Sequence, residues 1–499
     1  MSHLLIRTDG DRQIGAGHVM RCLALAQAWQ ETGGSASIAL AKITPGLETR
    51  LRSEGLNLHH LTCLPGSRED AKQTIELAQQ TGAAWVVADS YHFDADYQQA
   101  LKRANLRLLV VDDYGHAGHY YADLVLNQNI YAEPSLYINR EPDTDLLLGT
   151  QYVLLRREFW PWHGWQREIT PQAWKVLVTL GGGDPDNFTL KVLQTLKQVT
   201  GLELEVMVVV GPANPHLAVL QHAVEHAPYQ VQLLNSATNM PELMVWADIA
   251  ISAGGSTCWE LAFMGVPSLV FILADNQAAV AKGIAARGGG LNLGWYNQIS
   301  NFEQQVNRLL FSSEQRASMS QKGQQLVDGQ GRQRVLVAMS KTKLNLRPAE
   351  ESDCELLWQW ANEAEVRKSA FHSQYIPWEN HVQWFAKKLK DSHCFQFLAF
   401  NEQNEAVGQV RFDLANNEEA EIDVSIDKRK RGLGYGALLI KEGVASLAGN
   451  SSITCVHSFV KIDNQASIRA FEKAGFIQQG SELVKEQLCV HLIWKKDDE

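Results

Sequence analysis

In the first third of the chain, short apolar runs alternate with longer stretches whose apolar residues recur every three or four positions. A 3.6-residue period is typical of helices, and short apolar runs between turn residues are typical of buried strands. The pattern predicts strands at residues 4–7, 36–41, 84–88, 106–111 and 124–126, and helices at 18–32, 46–54 and 71–81. Such alternation favours an open, mostly parallel α/β sheet.

The same alternation returns after a break at residues 159–171. This stretch contains Trp160, Trp162 and Trp165, follows neither period, and indicates a linker. Strands are then predicted at 175–180, 203–210, 231–234, 249–252 and 268–272, with helices at 190–197, 240–245 and 315–339. The sequence therefore predicts a second α/β lobe.

From residue 346 onward the pattern changes. An opening strand leads into a helical stretch rich in aromatic residues, and a hairpin is predicted from strands at 405–414 and 419–426. A glycine-rich turn, a helix, a strand at 454–460, a helix at 465–474 and a strand at 486–494 follow. This order predicts an α+β domain. We place the three domains at residues 1–160, 172–340 and 344–496.

Composition is that of a globular protein, with 45% hydrophobic and 20% charged residues in a chain of 499. The net charge of −11 argues against sequence-independent binding of nucleic acid. The longest apolar runs, such as residues 267–274, are far shorter than the roughly 20 residues that span a bilayer. We expect neither a nucleic-acid partner nor a membrane partner.

Seven cysteines are scattered along the chain without a C-x-x-C pair or zinc-like spacing. This usage indicates reduced thiols, and the start of the chain has no pattern of a secretory signal. We therefore expect a cytoplasmic protein and no metal.

The loop after the first strand carries the first candidate chemistry. Gly15 and Gly17 let the backbone approach a ligand, and His18 begins the next helix, where an imidazolium is disfavoured. A neutral imidazole can act as a general base. Asp9 and Arg21 flank the loop as candidate ligands of a substrate. The alternatives are a helix-capping histidine and a loop-capping aspartate.

Four further residues end strands of the same lobe and would face the same cleft: Asp89, Tyr91, Asp112 and Asp113. An aspartate at a strand end is often only the cap of the next helix, and that alternative stays open.

In the second lobe, two glycine turns follow predicted strands. One contains Gly182, and the other runs through Gly255, Ser256 and Thr257 into a helix that carries Glu260. Amides and hydroxyls at such a turn suit a pyrophosphate, and Glu260 suits a ribose diol. Asn276 and Gln277 would project amides into the cleft. The alternative is an ordinary capped turn.

At these residues the first 340 positions resemble the UDP-sugar hydrolase family of pseudaminic acid biosynthesis. The motifs are Arg7-Thr8-Asp9, Gly15-Ala16-Gly17-His18-Val19-Met20-Arg21-Cys22, residues 152–159 and Gly181-Gly182-Gly183-Asp184. The resemblance implies a GT-B architecture of two Rossmann-like lobes, with water as acceptor. It implies that His18 is the base, that Asn276 contacts substrate, and that Ser256, Thr257 and Glu260 hold UDP.

Residues 429–436 read Arg-Lys-Arg-Gly-Leu-Gly-Tyr-Gly and precede a predicted helix. Together with residues 464–476 they resemble the acetyl-CoA loop and the following helix of GNAT acetyltransferases, nearest those that N-acetylate nucleotide-linked amino sugars. Two registers of R-x-x-G-x-G fit, beginning at Arg429 or at Arg431, and we favour the second. The implied ligands of acetyl-CoA are Val424, Ile426, Arg431, Gly432, Leu433, Gly434, Tyr435, Gly436 and Asn464.

One residue departs from the GNAT pattern. Phe471 stands where many relatives carry a tyrosine that protonates the leaving thiolate, and phenylalanine cannot donate a proton. Glu421 and Asp423 share one face of the hairpin strand, so either is a candidate base, or the face is merely solvated. His372 and His381 are weaker candidates.

The sequence thus favours a bifunctional enzyme of pseudaminic acid biosynthesis. Its C-terminal domain would acetylate a UDP-4-amino-sugar with acetyl-CoA, and its N-terminal half would hydrolyse UDP-2,4-diacetamido-2,4,6-trideoxy-β-L-altropyranose. A GT-B glycosyltransferase fused to an acetyltransferase is the first alternative. A non-catalytic protein that binds nucleotide sugar and acetyl-CoA is the second.

Overall fold

The structure, a computed structural model, describes residues 2–11, 15–182, 184–199, 201–211, 214–235, 237, 239–298, 301–340, 344–401, 404–450 and 452–496. The chain divides into two compact units, Met1–Met339 and Ser340–Glu499. The first unit contains two lobes with one parallel sheet each, and the second contains a mixed sheet.

The first lobe is built on seven parallel strands in the order β3-β2-β1-β4-β5-β6-β7. The strands are β1 His3–Thr8, β2 Ser35–Leu40, β3 Asn57–His60, β4 Ala83–Asp89, β5 Leu108–Val111, β6 Leu124–Asn127 and β7 Asp145–Leu148. The helices are α1 Gly17–Glu31, α2 Pro45–Ser53, α3 Arg68–Thr81 and α4 Ala95–Arg103. The two edge strands β3 and β7 were not predicted from the sequence. Of the two, only β3 lacks an apolar run, since β7 contains three consecutive leucines.

The second lobe repeats this plan with six parallel strands in the order β10-β9-β8-β11-β12-β13. The strands are β8 Lys175–Thr179, β9 Glu205–Val210, β10 Gln230–Asn235, β11 Ile249–Ala253, β12 Ser268–Ile272 and β13 Leu291–Trp295. The helices are α5 Phe188–Leu196, α6 Leu217–Glu225, α7 Met240–Trp246, α8 Thr257–Phe263, α9 Ala278–Ala286, α10 Phe302–Phe311, α11 Ser313–Leu326 and α12 Gly331–Ser340.

The end of the first unit differs from the sequence-based prediction of one helix over residues 315–339. The helix is interrupted between α11 and α12, where Gly329 adopts a φ of 75° that few other residues tolerate. Val335 and Met339 of α12 are fully buried in the core of the first lobe, and the Trp85 indole donates to the Met339 carbonyl at 2.8 Å. The last helix therefore packs on the first lobe although it follows the second in sequence.

The second unit is a seven-stranded mixed sheet in the order β14-β15-β16-β17-β18-β20-β19. Its strands are β14 Asn345–Pro348, β15 Cys394–Phe400, β16 Ala406–Leu414, β17 Glu419–Ile426, β18 Cys455–Lys461, β19 Ile477–Val484 and β20 Gln487–Lys495. Its helices are α13 Cys354–Ala361, α14 Ala364–Ser369, α15 Trp378–Leu389, α16 Tyr435–Asn450 and α17 Gln465–Lys473.

β17 and β18 form the parallel pair of this sheet, and they separate soon after they meet. Their register contains three pairs, Glu419 with Cys455, Ala420 with Val456 and Glu421 with His457. Beyond these pairs the two strands diverge, while the neighbouring antiparallel pairs continue for seven residues each. The sheet is therefore split at its centre, and a ligand can reach the backbone of both strands there.

We expect Gly331→Ala to destabilise the first unit, because a Cβ on Gly331 would lie 2.2 Å from the Val153 carbonyl oxygen, a backbone atom of the segment between β7 and β8. Overpacking of this kind costs about 1–3 kcal/mol. Calorimetric unfolding of the full chain measures the effect. Gly118→Ala, where the added Cβ meets open space, is the matched control, and equal melting temperatures for both variants would contradict the packing described.

Candidate active sites

The strand order of the first lobe creates a crevice between β1 and β4, where the connections turn in opposite directions. Ligands of open α/β sheets bind at this place, outside the carboxyl ends of the strands. His18, at the start of α1, and Asp89, the last residue of β4, both reach this crevice. Sequence analysis named both residues but committed only to His18.

His18 and Asp89 form a buried pair. His18 Nδ1 lies 2.5 Å from Asp89 Oδ1, and the two side chains are 9% and 0% exposed. Because an ionised carboxylate only accepts hydrogen bonds, Nδ1 carries the proton and Nε2 is left with its lone pair. No hydrogen bond to Nε2 is present among the described residues. This arrangement presents a histidine base and stabilises the imidazolium that proton uptake forms.

Arg21 holds Asp89 in the ionised state. Its Nε and Nη2 donate to the two oxygens of Asp89 at 2.7 Å each, and its Nη1 donates to Asp113 at 2.7 Å. Burial favours the protonated acid, but the Arg21 guanidinium and His18 outweigh it and hold the pKa of Asp89 well below its usual range. All three donor nitrogens of Arg21 are engaged by carboxylates, and the residue also lines the small cavity beside Ser256. That Arg21 binds substrate stays a prediction.

Tyr91 connects this pair to the second lobe. Its hydroxyl donates to Asp113 at 2.6 Å, and its ring stands edge-on to the His18 ring at 4.9 Å between centroids. The Asn276 side chain, from the second lobe, lies close enough to the same hydroxyl to influence its pKa. Asn276 therefore reaches the surroundings of His18, and its contact with substrate stays a prediction.

Both glycine turns of the second lobe face the histidine loop. A Cβ on Gly17 would lie 3.9 Å from Ser256 Oγ, and a Cβ on Gly182 would lie 3.9 Å from the Ala16 Cβ. The backbone N–H groups of Ser256 and Thr257 have no acceptor among the described residues. The cleft thus has His18 on one side and the N–H groups of Ser256 and Thr257 on the other. Gly183 lies outside the described residues.

Two predicted ligands, Asp9 and Gln277, accept hydrogen bonds from backbone groups. Asp9 is buried, accepts from the backbone N–H groups of residues 41 and 42 at 2.7 and 2.8 Å, and pairs with Arg7 at 2.8 Å. The Gln277 amide oxygen accepts from the Leu273 N–H at 3.0 Å, which closes its own turn. Backbone groups thus engage one oxygen of each side chain, and the binding of substrate by Asp9 and Gln277 stays a prediction. Gly15 flanks the cleft with a φ of 81°, a conformation suited to glycine.

Glu260 forms an ion pair with Arg156, which lies in the segment between β7 and β8. Arg156 donates to Glu260 Oε1 at 2.7 Å and also pairs with Glu158 at 2.8 Å. Burial raises the pKa of the Glu260 carboxyl, and Arg156 opposes that shift. A cavity of about 20 Å³ is lined by Arg21, Ser256 and Glu260 among others, so Glu260 borders the cleft as predicted.

The second unit contains a cavity of about 540 Å³ inside the split between β17 and β18. Its lining includes Asp423 and Val424 of β17, Asn464 at the start of α17, and Phe471, whose ring offers no proton. The cavity reaches His381 on α15, and burial lowers the pKa of this histidine. Asn464 also caps α17, since its side chain accepts from the Ser467 N–H at 3.2 Å.

The two candidate bases of β17 occupy different places. Asp423 lines the cavity and accepts from Gln409 Nε2 at 3.0 Å. Glu421 is exposed, is not part of the lining, and sits in register with His457 in the paired part of the strands. The two carboxylates thus share one face of β17, as the strand period predicts, but only Asp423 lines the cavity.

The glycine-rich loop precedes α16. Gly432 and Gly434 have φ values of 73° and 99°, which explains the glycines there, and a Cβ on Gly436 would lie 3.6 Å from the Ala470 Cβ. Arg431 Nε donates to the Ile426 carbonyl at 2.9 Å, and its Nη2 pairs with Glu363. The expectation that Arg431 holds acetyl-CoA is corrected in part, because its guanidinium already fastens the loop to β17.

Some residues at the two sites were not assigned a role from the sequence, because their local signals were weak or missing. Asp89 ends a strand in the sequence, which indicates a cap as readily as a catalytic partner. The cavity residues Gln409 and Arg411 had no signal, because only the register of β16 and β17 brings them to Asp423, and Trp384 reaches the cavity from α15.

Comparisons with known proteins agree with this picture. Residues 343–477 match the acetyltransferase (GNAT) domain family, and residues 176–333 match the glycosyltransferase family 28 C-terminal domain. The first unit resembles the crystal structure of Acinetobacter baumannii MurG over 68% of this chain and 100% of that one, at 18% identity and a TM-score of 0.51. The chain joins a GT-B half to a GNAT domain. The fold class predicted from the sequence is confirmed.

Two relatives from Campylobacter jejuni match the two parts separately. The UDP-2,4-diacetamido-2,4,6-trideoxy-β-L-altropyranose hydrolase is 23% identical over 287 residues, which is 57% of this chain and 97% of that protein. The acetyltransferase PseH is 20% identical over 132 residues, 26% of this chain and 82% of that protein. The resemblance that the sequence indicated is confirmed. Among the described residues, no helix is long and apolar enough to cross a membrane.

We expect Arg21→Met to lower the free energy of unfolding by about 3–5 kcal/mol at neutral pH, because it leaves Asp89 and Asp113 buried without their cation. The pKa values of both carboxyls lie below their ordinary 3.8 in the folded chain, so their contribution is present above that pH and is lost as the pH falls. The difference between wild type and variant should therefore narrow below about pH 4.

Urea unfolding of the full chain at a series of pH values measures this dependence. Arg52→Ala is the control, because the Arg52–Glu48 pair is exposed and its loss should change little. A difference that stays constant from pH 7 to pH 3 would contradict the role assigned to Arg21.

Proposed function

We propose that this chain is a bifunctional nucleotide-sugar enzyme of pseudaminic acid biosynthesis. The C-terminal unit acetylates the 4-amine of a UDP-4-amino-sugar with acetyl-CoA. The first unit hydrolyses the product, UDP-2,4-diacetamido-2,4,6-trideoxy-β-L-altropyranose, to UDP and the free sugar. The observation that carries the hydrolase half is the His18–Asp89 pair opposite the Ser256 turn. All seven cysteines of the chain are free thiols, which supports a cytoplasmic location.

Hydrolysis begins with a water molecule beside His18 Nε2. The water oxygen attacks the anomeric carbon from the face opposite UDP while Nε2 takes one of its protons. The bond between the anomeric carbon and the UDP oxygen breaks, and UDP leaves with the electron pair. Asp89 stabilises the imidazolium, because its carboxylate accepts the Nδ1 proton at 2.5 Å and stays ionised beside Arg21.

The second lobe holds the leaving group. The N–H groups and hydroxyls of Ser256 and Thr257 supply donors for the diphosphate, and Glu260 is placed to accept from the ribose hydroxyls. Gly17 separates the base from the phosphate turn, and even a Cβ added there would already lie 3.9 Å from Ser256 Oγ, so a larger side chain would enter the space of the substrate. Asn276, beside Tyr91, contacts the sugar between the two.

Acetyl transfer takes place in the split of the second unit. The glycine-rich loop before α16 takes the pyrophosphate of acetyl-CoA, and the thioester lies between β17 and β18. The substrate amine attacks the thioester carbonyl, the nitrogen–carbon bond forms, and the carbon–sulfur bond breaks. Asp423 takes the amine proton, and solvent supplies the proton of the thiol, because Phe471 has none to give.

We expect His18→Ala to reduce UDP release from the diacetamido sugar by about 10²–10⁴-fold, because the base is lost. Asp89→Asn should give a loss of similar order with binding retained, since an amide no longer fixes the protonated Nδ1. Single-turnover assays of UDP release measure both variants.

His119→Ala is the matched control for these two variants. His119 also pairs with a carboxylate, Glu141, at 2.8 Å, but on the surface of the same lobe. Its activity should equal that of wild type. UDP release by His18→Ala at the wild-type rate would reject the assignment of the base.

We expect Asp423→Asn to slow the release of CoA from acetyl-CoA in the presence of the 4-amino-sugar by about 10²–10⁴-fold, because the cavity loses its base. Glu421→Gln is the control from the same strand, and its rate should stay within a few-fold of wild type, because Glu421 does not line the cavity. Thiol detection gives both rates. The opposite ranking of the two variants would overturn the choice of Asp423.

A further inference from the structure

Three side chains with different metal-binding atoms meet where β17 and β18 pair. They are Glu419 on β17 and Cys455 and His457 on β18, and their ligand atoms all lie within 4.8 Å of one another. Cys455 Sγ is 3.3 Å from His457 Nε2, and Glu419 Oε1 is 4.0 Å from the same nitrogen. This group lies outside the lining of the acetyl-CoA cavity.

A chain of hydrogen bonds fixes the orientation of His457. Glu482 Oε1 lies 2.7 Å from His491 Nδ1, and His491 Nε2 lies 3.0 Å from His457 Nδ1. When Glu482 is ionised it only accepts, so His491 Nδ1 carries a proton and His491 Nε2 accepts from His457 Nδ1. The lone pair of His457 Nε2 is then directed at Cys455 and Glu419. A histidine that ligates a metal is typically oriented by such an outer partner.

We propose that Glu419, Cys455 and His457 form a binding site for a divalent transition metal, with Zn²⁺ as the best match to one sulfur, one nitrogen and one oxygen ligand. Zinc holds sulfur at about 2.3 Å and nitrogen at about 2.0–2.1 Å, so a sulfur and a nitrogen ligand at the tetrahedral angle are roughly 3.5–3.6 Å apart. Cys455 Sγ and His457 Nε2 lie 3.3 Å apart, so a small separation of the two side chains would admit the ion. The Glu419 side chain is 47% exposed, and its second oxygen, Oε2, accepts from Asn416 Nδ2 at 2.9 Å, which leaves Oε1 to face the metal. Water would fill the fourth position.

The position of the site gives the metal a structural role. Glu419 and Cys455 are opposite each other in the first pair of β17 and β18, and His457 belongs to the third. These three pairs are the whole register that holds the two strands together before they diverge around the cavity. A metal there would hold the two strands together at the base of the split. This proposal differs from the expectation from sequence, which was that no metal is bound.

A second cluster provides an internal comparison. His222 and Glu225 lie in the last turn of α6, His226 follows its end, and all three are exposed. His226 Nδ1 is 2.8 Å from the carbonyl oxygen of His222, and no outer carboxylate orients either ring among the described residues. A metal held there would have no thiolate ligand, so the two clusters are distinguishable by spectroscopy.

The test is titration of the chelator-treated full chain with Co²⁺ and then Zn²⁺, followed by absorption spectroscopy. We expect one Co²⁺ per chain with a sulfur-to-cobalt charge-transfer band, which Zn²⁺ displaces. Cys455→Ser should abolish the band, and His226→Ala should leave it unchanged. His491→Ala should weaken the affinity by about 10–100-fold, as loss of an outer partner does.

Unfolding temperatures serve as the second readout. Zn²⁺ should raise the melting temperature of wild type and of His226→Ala but not of Cys455→Ser, and circular dichroism checks that Cys455→Ser is folded. A missing charge-transfer band in wild type would overturn the proposal. A band that survives in Cys455→Ser, or one that disappears in His226→Ala, would overturn it as well.

Discussion

The first unit depends on one buried electrostatic arrangement, the Arg21 guanidinium between Asp89 and Asp113. The Asp89 side chain is fully buried and that of Asp113 is 13% exposed, so both need a cation to stay ionised, and Arg21 supplies it through three donor nitrogens. The ionised Asp89 in turn fixes the protonated nitrogen of His18. The orientation of the His18 ring therefore depends on the ionised Asp89, and Asp89 depends on Arg21. The position of His18 at the start of a helix would not orient the ring by itself.

The second unit depends on a different constraint, the early separation of two parallel strands. β17 and β18 share three residue pairs and then diverge, which leaves backbone groups of both strands available beside a cavity of about 540 Å³. The same geometry decides which acidic residue can act there. Glu421 belongs to the paired part and Asp423 to the open part, although they are two residues apart on one strand face.

Much of the fold was readable from the sequence, because buried parallel strands are continuous apolar runs and helices between them are periodic. The central strands of both lobes, the glycine turns and His18 all have such local signals. The edge strand β3 does not, and the break between α11 and α12 at Gly329 was not predicted either. For Asp9 and Gln277, a side chain that closes its own loop has the same residue type and position as one that binds a ligand, so the sequence does not distinguish the two roles.

The sequence by itself determined the two α/β lobes, the α+β domain, the candidate base and the glycine-rich loops, since each is written in neighbouring residues. Only the tertiary structure decided which partners these groups have. Asp89 meets His18 across 71 positions of sequence, and His491 meets His457 across 34. Such contacts follow from strand order and register, which long-range packing sets, so no local pattern of residues records them.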